Sequence, residues 1–287
     1  MKRPAWVFWA FLSPALFAFT IVQIIPALRG FYFSVTDWDG VGSGVSLVGL
    51  ANYAGLLRDQ QFLRSFAFTS LFTFSAVITI NLAGFLLALL VTQKFRAANI
   101  LRSVFFMPNL IGGILLGFAW QFIFVQVFDS LSKKFGILWM AGWLSNQVTG
   151  FLGLLIVITW QLSGYMMIIY IAQLQNIPDS LLEAAEVDGA NPLQKLRHII
   201  LPLMAPAFTI GLFLSISHAF KLYDMNVALT NGGPSDSTQM LSLNIYQTAF
   251  IEGRFGLAQS KAVVFLIVIS AVSLIQLKIS KSREIEQ

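Results

Sequence analysis

No cysteine occurs among the 287 residues. That excludes a disulfide scaffold, a thiolate metal site and a cysteine nucleophile together. Charge is scarce too. Only 11% of the residues are Asp, Glu, Lys or Arg, where soluble domains carry about 25%. The two histidines, His198 and His218, fall in different segments and by themselves make no metal site. No G-x-x-x-x-G-K-[ST] run is present, so no phosphate-cradling loop exists and any nucleotide must be bound by another polypeptide. No carboxylate pair lies within an apolar stretch, which argues against glycosidase chemistry and against a proton relay. The net charge of +5 is scattered singly, without a basic patch for nucleic acid. These basic residues read as membrane-edge residues.

What the chain has in quantity is apolar surface: 57% hydrophobic residues and a mean hydropathy of +0.76. Six stretches approach the ~20 apolar residues that cross a bilayer core as a helix: Pro4–Leu28, Phe66–Val91, Val104–Gln126, Thr149–Leu174, Leu203–Phe220 and about Ser260–Ile279. The first five hold no Asp, Glu, Lys or Arg, each of which costs ~2.5–3.5 kcal/mol at the bilayer centre. The sixth carries Lys261 and Lys278 near its ends, where long side chains snorkel to water. The expectation is an all-α integral membrane protein of six transmembrane helices, a single domain over residues 1–287, with both termini on one side. The apolar run after Met1-Lys2-Arg3 is too long for a signal-peptide core and reads as an uncleaved first helix. With the N-terminus inside, ten basic residues lie inside, among them Lys2, Arg3, Lys94 and Arg283, against eight outside, among them Lys221 and Lys261.

The longest charged interruption is Pro178–Pro206. Pro178 suits a helix start. Ser180 and Glu183 form an S-x-x-E capping box, Leu181–Val187 is a short helix, and Gly189 supplies a left-handed stop. Asn191-Pro192 opens a second helix that runs through Lys195 and Arg197 into Ile199-Ile200-Leu201. His198 reads as a surface residue of this hairpin. Glu183-Ala184-Ala185, Asp188-Gly189-Ala190 and Ile199, Leu201, Pro202 and Pro206 resemble the EAA loop of ABC importer permeases, in the version of the maltose-type carbohydrate branch. Thr230-Asn231-Gly232-Gly233-Pro234 is at least a tight turn. It also resembles a loop which the same permeases carry outside, between their last two helices.

The resemblance covers nearly the whole chain and implies its partners. They are a second homologous permease subunit, two ATPase subunits that hold ATP and magnesium, and an extracytoplasmic sugar-binding protein. The substrate is a carbohydrate, the setting is the cytoplasmic membrane of a bacterial or archaeal cell, and both termini are cytoplasmic. No cofactor, metal or catalytic residue belongs to this chain. The family core is expected at about 62–279 and the coupling segment at 178–203, with Glu183, Ala184, Ala185, Asp188 and Gly189 meeting the ATPase.

The polar residues within the spans that are candidates for function are Asn81, Asn109, Gln121, Gln161, Ser163, Tyr165, Ser215, Ser217 and His218. For each, a hydrogen bond between helices competes with a role in transport. Gly113 and Gly117 form a G-x-x-x-G step for close helix packing. Gln161 and Tyr165 share one helix face, and Ser215, His218 and Leu222 share another. By the resemblance these faces correspond to the sugar-contacting helices, where related permeases place asparagines at the positions of Ala219 and Leu222. The expected substrate path is therefore Gln161, Tyr165, Ser215, His218 and Leu222. Ser34–Asp59, Phe128–Val148 and Asp224–Leu257 are expected as outer loops, the second with an interfacial helix near Trp139 and Trp143. A permease of the same family for glycerol phosphate would want Lys or Arg facing the path, and none is expected there. An ion-coupled secondary transporter would want charges within the spans.

Overall fold

The computed structural model describes residues 5–42, 44–93 and 96–282, with side chains from Phe8 onward. Pro4, Lys2, Arg3, Lys94 and Arg283, used above for the first span and the orientation, lie outside the described residues. We label the helices α1 (Phe8–Phe33), α2 (Ala51–Leu56), α3 (Gln60–Val91), α4 (Ala98–Phe106), α5 (Gly113–Phe135), α6 (Gln147–Leu174), α7 (Asp179–Val187), α8 (Pro192–Leu203), α9 (Ala205–Phe220), α10 (Asp224–Leu229), α11 (Leu241–Phe250) and α12 (Phe255–Lys281). Five of them, α1, α3, α5, α6 and α12, are long and apolar enough to cross a membrane, and the bent pair α8–α9 makes the sixth span.

The third span begins later than the sequence suggests. Val104–Gln126 was expected to be continuous, but α4 ends at Phe106, a single 3-10 turn covers Met107–Leu110, and α5 starts at Gly113. Pro108 donates no hydrogen bond and Ile111 and Gly112 turn extended, so the helical ladder cannot continue through them. Asp224–Leu257 is likewise more ordered than a loop: it holds α10 and α11, with Met225, Leu229, Met240 and Leu241 in the core.

The chain divides into two compact units. In the unit made of Met1–Leu63 and Asn244–Ile267, no side chain in the apolar window of α1 is buried. Trp38 stacks on Phe33 at 4.1 Å and lies 5.5 Å from Phe255. The Gly256 N–H donates to the Trp38 carbonyl, and a Cβ at 256 would sit 2.1 Å from the Thr36 carbonyl oxygen. Lys261 does not snorkel as expected. It is 2% exposed, pairs with Asp59 at 2.9 Å and donates to Asn244 and Thr248. A buried ammonium needs this complete set of acceptors, because an unpaired one would cost several kcal/mol, of order 3–5. At Asp59, desolvation pushes the carboxyl pKa up, yet the Phe62 N–H and Lys261 outweigh it and hold the pKa below its ordinary value.

The second unit, Arg64–Leu243 with Val268–Gln287, contains the main core. Phe72, Ala76 and Ile80 of α3 pack with Leu154, Ile158, Met166 and Met167 of α6, and with Met204 at the α8–α9 bend. Half of α6's apolar window is buried, which makes it the central helix of this unit. Small residues allow the close approaches. A Cβ on Gly117 would come within 2.6 Å of the Ala228 Cβ, and one on Gly164 within 1.9 Å of the Phe105 carbonyl oxygen. The G-x-x-x-G step thus serves helix packing, as expected.

Candidate functional site

The charged hairpin is closed by its own backbone. α7 starts at Asp179 with Pro178 as its extended N-cap, and Ser180 falls inside the helix, so the expected Ser180–Glu183 capping box does not form. The stop is as expected: Gly189 has φ +76°. The Ala190 N–H reaches the Ala185 carbonyl at 2.9 Å and the Gly189 N–H reaches that of Glu186 at 3.0 Å, the two bonds of a Schellman closure. Asn191 caps α8 reciprocally with Gln194, a box that the sequence reading overlooked. Lys195 crosses back to Glu186 at 2.5 Å. That hydrogen bond and charge lower the Glu186 pKa. His198 is exposed, as expected.

With its backbone satisfied, the hairpin turns its side chains outward. Glu183, Ala184, Asp188 and Gly189 are exposed and Ala185 is half-buried. Val187 is 89% and Leu193 71% exposed, apolar groups on an otherwise charged surface. α8 and α9 meet at 68°. Gln173 of α6 donates to the Leu203 carbonyl at this bend, at 2.9 Å.

Toward the other end of α9, a cavity of about 250 Å³ is lined by Gly113, Gln161, His218, Lys221, Leu222, Tyr223, Asp224 and Met225. Three of the five expected path residues, Gln161, His218 and Leu222, meet here. α9 ends at Phe220, so Leu222 reaches the cavity from the break before α10 and not along a helix face. Gln161 donates to the Ile111 carbonyl at 3.1 Å, which ties α6 to the break between α4 and α5. Lys221, expected as an outer-edge charge, lines the cavity, as does Asp224. A cation does therefore face this space, contrary to the expectation.

Ser215 and Tyr165 lie elsewhere. Tyr165 is half-buried against the core. Ser215 is fully buried and accepts from the Asn81 amide at 2.8 Å. Asn81 also donates to the Val77 carbonyl and accepts from the Tyr170 hydroxyl. This cluster joins α3, α6 and α9, and every polar group in it has a partner.

A buried asparagine that sequence reasoning missed organises the Gly-Gly-Pro turn. Asn226 donates to Thr230 Oγ1 and the Thr238 carbonyl and accepts from the Met240 N–H. Its only sequence signal was an amide among apolar residues four positions before the turn begins at Thr230. The turn itself is closed by Gly233 N–H to Thr230 O and Thr238 N–H to Gly232 O.

Residues 80–284 match the family described as binding-protein-dependent transport system inner membrane component. The chain is 46% identical over 285 residues to the "Probable starch degradation products transport system permease protein" of Thermoanaerobacterium thermosulfurigenes, covering 99% of this chain and 97% of that one. It is 27% identical over 278 residues to the "Multiple sugar-binding transport system permease protein" of Streptococcus mutans, covering 96% of each. Its fold matches a chain of a bacterial ABC transporter involved in the import of the acidic polysaccharide alginate, with TM-score 0.82, 19% identity and 96% of both chains covered. The helical permease fold implied by the sequence is the fold found.

Proposed function

The chain belongs to the family of binding-protein-dependent transport system inner membrane components, and on that premise we propose that it is one permease subunit of an ATP-driven carbohydrate importer, its substrate an oligosaccharide. It is a multi-pass membrane protein of a transport family. In the proposed assembly it pairs with a second, homologous permease and receives substrate from an extracytoplasmic sugar-binding protein. Two ATPase subunits carry ATP and magnesium, and both termini of this chain face them in the cytoplasm.

The observation that carries the reading is the hairpin: a rigid, self-closed backbone that presents Glu183, Ala184 and Val187 unpartnered to solvent. Glu183 offers a carboxylate to a basic cleft and Ala184 permits close approach. Movement of α7 is passed through α8 to the 68° bend, where α9 begins and Gln173 links to α6. Those same two helices carry His218 and Gln161 into the cavity. ATP-driven approach of the two hairpins would thereby reshape the cavity without this chain doing covalent chemistry. The cavity is below the ~300–1,000 Å³ of typical ligand sites, in keeping with a path that the partner permease completes.

The test is reconstitution of the assembled importer in proteoliposomes with Glu183→Lys or Gly189→Val. Either variant is expected to reach the membrane in normal amount and to lose about tenfold or more of its substrate-stimulated ATP hydrolysis, a loss of at least ~1.4 kcal/mol of coupling. Wild-type stimulation and uptake in both variants would overturn the reading.

A further inference from the structure

Four polar groups face the cavity with no partner among the described residues. Lys221 lies in the break between α9 and α10 and Asp224, three residues on, opens α10, yet they form no ion pair with each other or with another described side chain. The His218 ring makes no hydrogen bond. Gln161 has given its amide N–H to Ile111, which leaves its amide oxygen free. Asp224 sits beside the start of α5, where a Cβ on Gly113 would meet the Asp224 Cβ at 3.0 Å. That N-terminus has no side-chain cap, and the positive end of a helix attracts a negative charge.

We propose that Lys221 and Asp224 are specificity-determining residues that select a neutral, hydroxyl-rich sugar and reject anionic solutes, Asp224 being the group that rejects. The inference rests on the transport reading above and adds the charge class of the substrate. Each sugar hydroxyl both donates and accepts. A lining with an ammonium, a carboxylate, an amide oxygen and an imidazole answers it with both kinds of partner. With His218 neutral the lining carries one positive and one negative charge, so a neutral ligand meets no uncompensated field. A phosphate or uronate would gain Lys221 and meet Asp224 at close range in a site partly shielded from water, where like charges repel strongly. Hence one cation in the cavity does not make it a site for glycerol phosphate.

The test needs a binding measurement on the permease itself, since the binding protein imposes its own choice. The chain's lack of cysteine makes Leu222→Cys a single labelling site in the cavity. In the assembled importer in detergent, with binding protein omitted, maltotriose is expected to protect this thiol from a maleimide. The same trisaccharide oxidised at C6 to the uronate should protect it about tenfold more weakly. Adding Asp224→Asn should close that gap, and Lys221→Gln should widen it. Melting in detergent identifies any variant that misfolds, and either substitution alone suffices for the comparison. An unchanged ratio in both variants would overturn the inference while leaving the transport reading intact. Absence of protection by either sugar in the parent Leu222→Cys importer would instead remove the cavity from the sugar path, and the charge assignment with it.

Discussion

The charged hairpin and the buried Asn81–Tyr170–Ser215 cluster handle polar groups in opposite ways. In the hairpin the backbone closes on itself through Gly189, Ala190 and Asn191, and most side chains are left free for a partner. In the cluster the side chains do the closing: each hydroxyl and amide is consumed by another span, so none remains for a ligand. A polar residue in a membrane helix therefore does not reveal by its type which role it has. What separates them is whether its partners are already inside the chain. The cavity belongs with the hairpin in this respect, because His218, Lys221 and Asp224 have no side-chain partner among the described residues.

The sharpest way to break this comparison is to disturb the interior where no adjustment is available. Gly164→Val would drive a side chain into the Phe105 carbonyl, already 1.9 Å from a bare Cβ. Overpacking of this kind costs about 3 kcal/mol or more when the obstacle is backbone. The expected outcome is a severe drop in the amount of folded protein and in its melting temperature. A Gly164→Val protein that melts like wild type would refute the close packing of α4 on α6.

The hairpin should show the reverse pattern. Ala184→Trp places bulk on an exposed face with no neighbour to disturb, so melting should stay within a degree or so, surface changes being about ±0.5 kcal/mol. Coupled ATP hydrolysis should still fall about tenfold, since the partner can no longer approach. Reduced stability with intact coupling would reverse the assignment of the two regions.

These regions also differ in how well the sequence announced them. The hairpin's signals lie within a few residues: Gly189 stops α7 and Asn191-Pro192 starts α8, so turn chemistry is readable along the chain. Even there, Ser180 was misplaced by a helix that starts at Asp179, because a cap motif does not fix its own register. The apolar spans were legible from length alone, apart from the break at Pro108–Gly112. Ser215 and Lys261 were not legible. Their partners Asn81 and Asp59 are 134 and 202 residues away in sequence, and no local pattern records such a pairing. Lys221 escaped notice for a related reason: as a charge at a span's end it resembles a membrane-edge residue, and only the break before α10 turns it into the cavity.

A paired substitution on α9 sharpens the boundary between cluster and cavity. Ser215→Ala removes a buried hydrogen bond, worth about 1 kcal/mol, or ~0.6 kcal/mol on average between membrane helices. It should lower the melting temperature slightly and leave the KM for uptake unchanged. His218→Ala, three residues on, should raise the KM several-fold, on the order of 1 kcal/mol of lost contact, with little change in melting. Equal effects of the two on KM would return Ser215 to the substrate path.

The smallest effect is expected from the ion pair that crosses the hairpin. Glu186 and Lys195 meet at 2.5 Å, but Glu186 is largely in solvent, where such pairs contribute little and are screened by salt. The Lys195 hydrogen bond and charge hold the Glu186 pKa below its ordinary value of 4.5. A lowered folded-state pKa means that the contribution is complete above the ordinary value and is lost as pH falls through the lowered one. Between pH 6 and 8, coupling through this pair should therefore be flat, and only acid should release Lys195. Glu186→Gln should give a small loss of coupled ATP hydrolysis at neutral pH. Exchanging the charges, Glu186→Lys with Lys195→Glu, should recover most of it, because backbone closure at Gly189 and Asn191 still sets the angle between α7 and α8. Measuring coupled hydrolysis of wild type and the two variants across pH and salt decides the matter: a large loss in Glu186→Gln that the exchange fails to rescue would mean that Glu186 meets the ATPase directly and is not a support for α7.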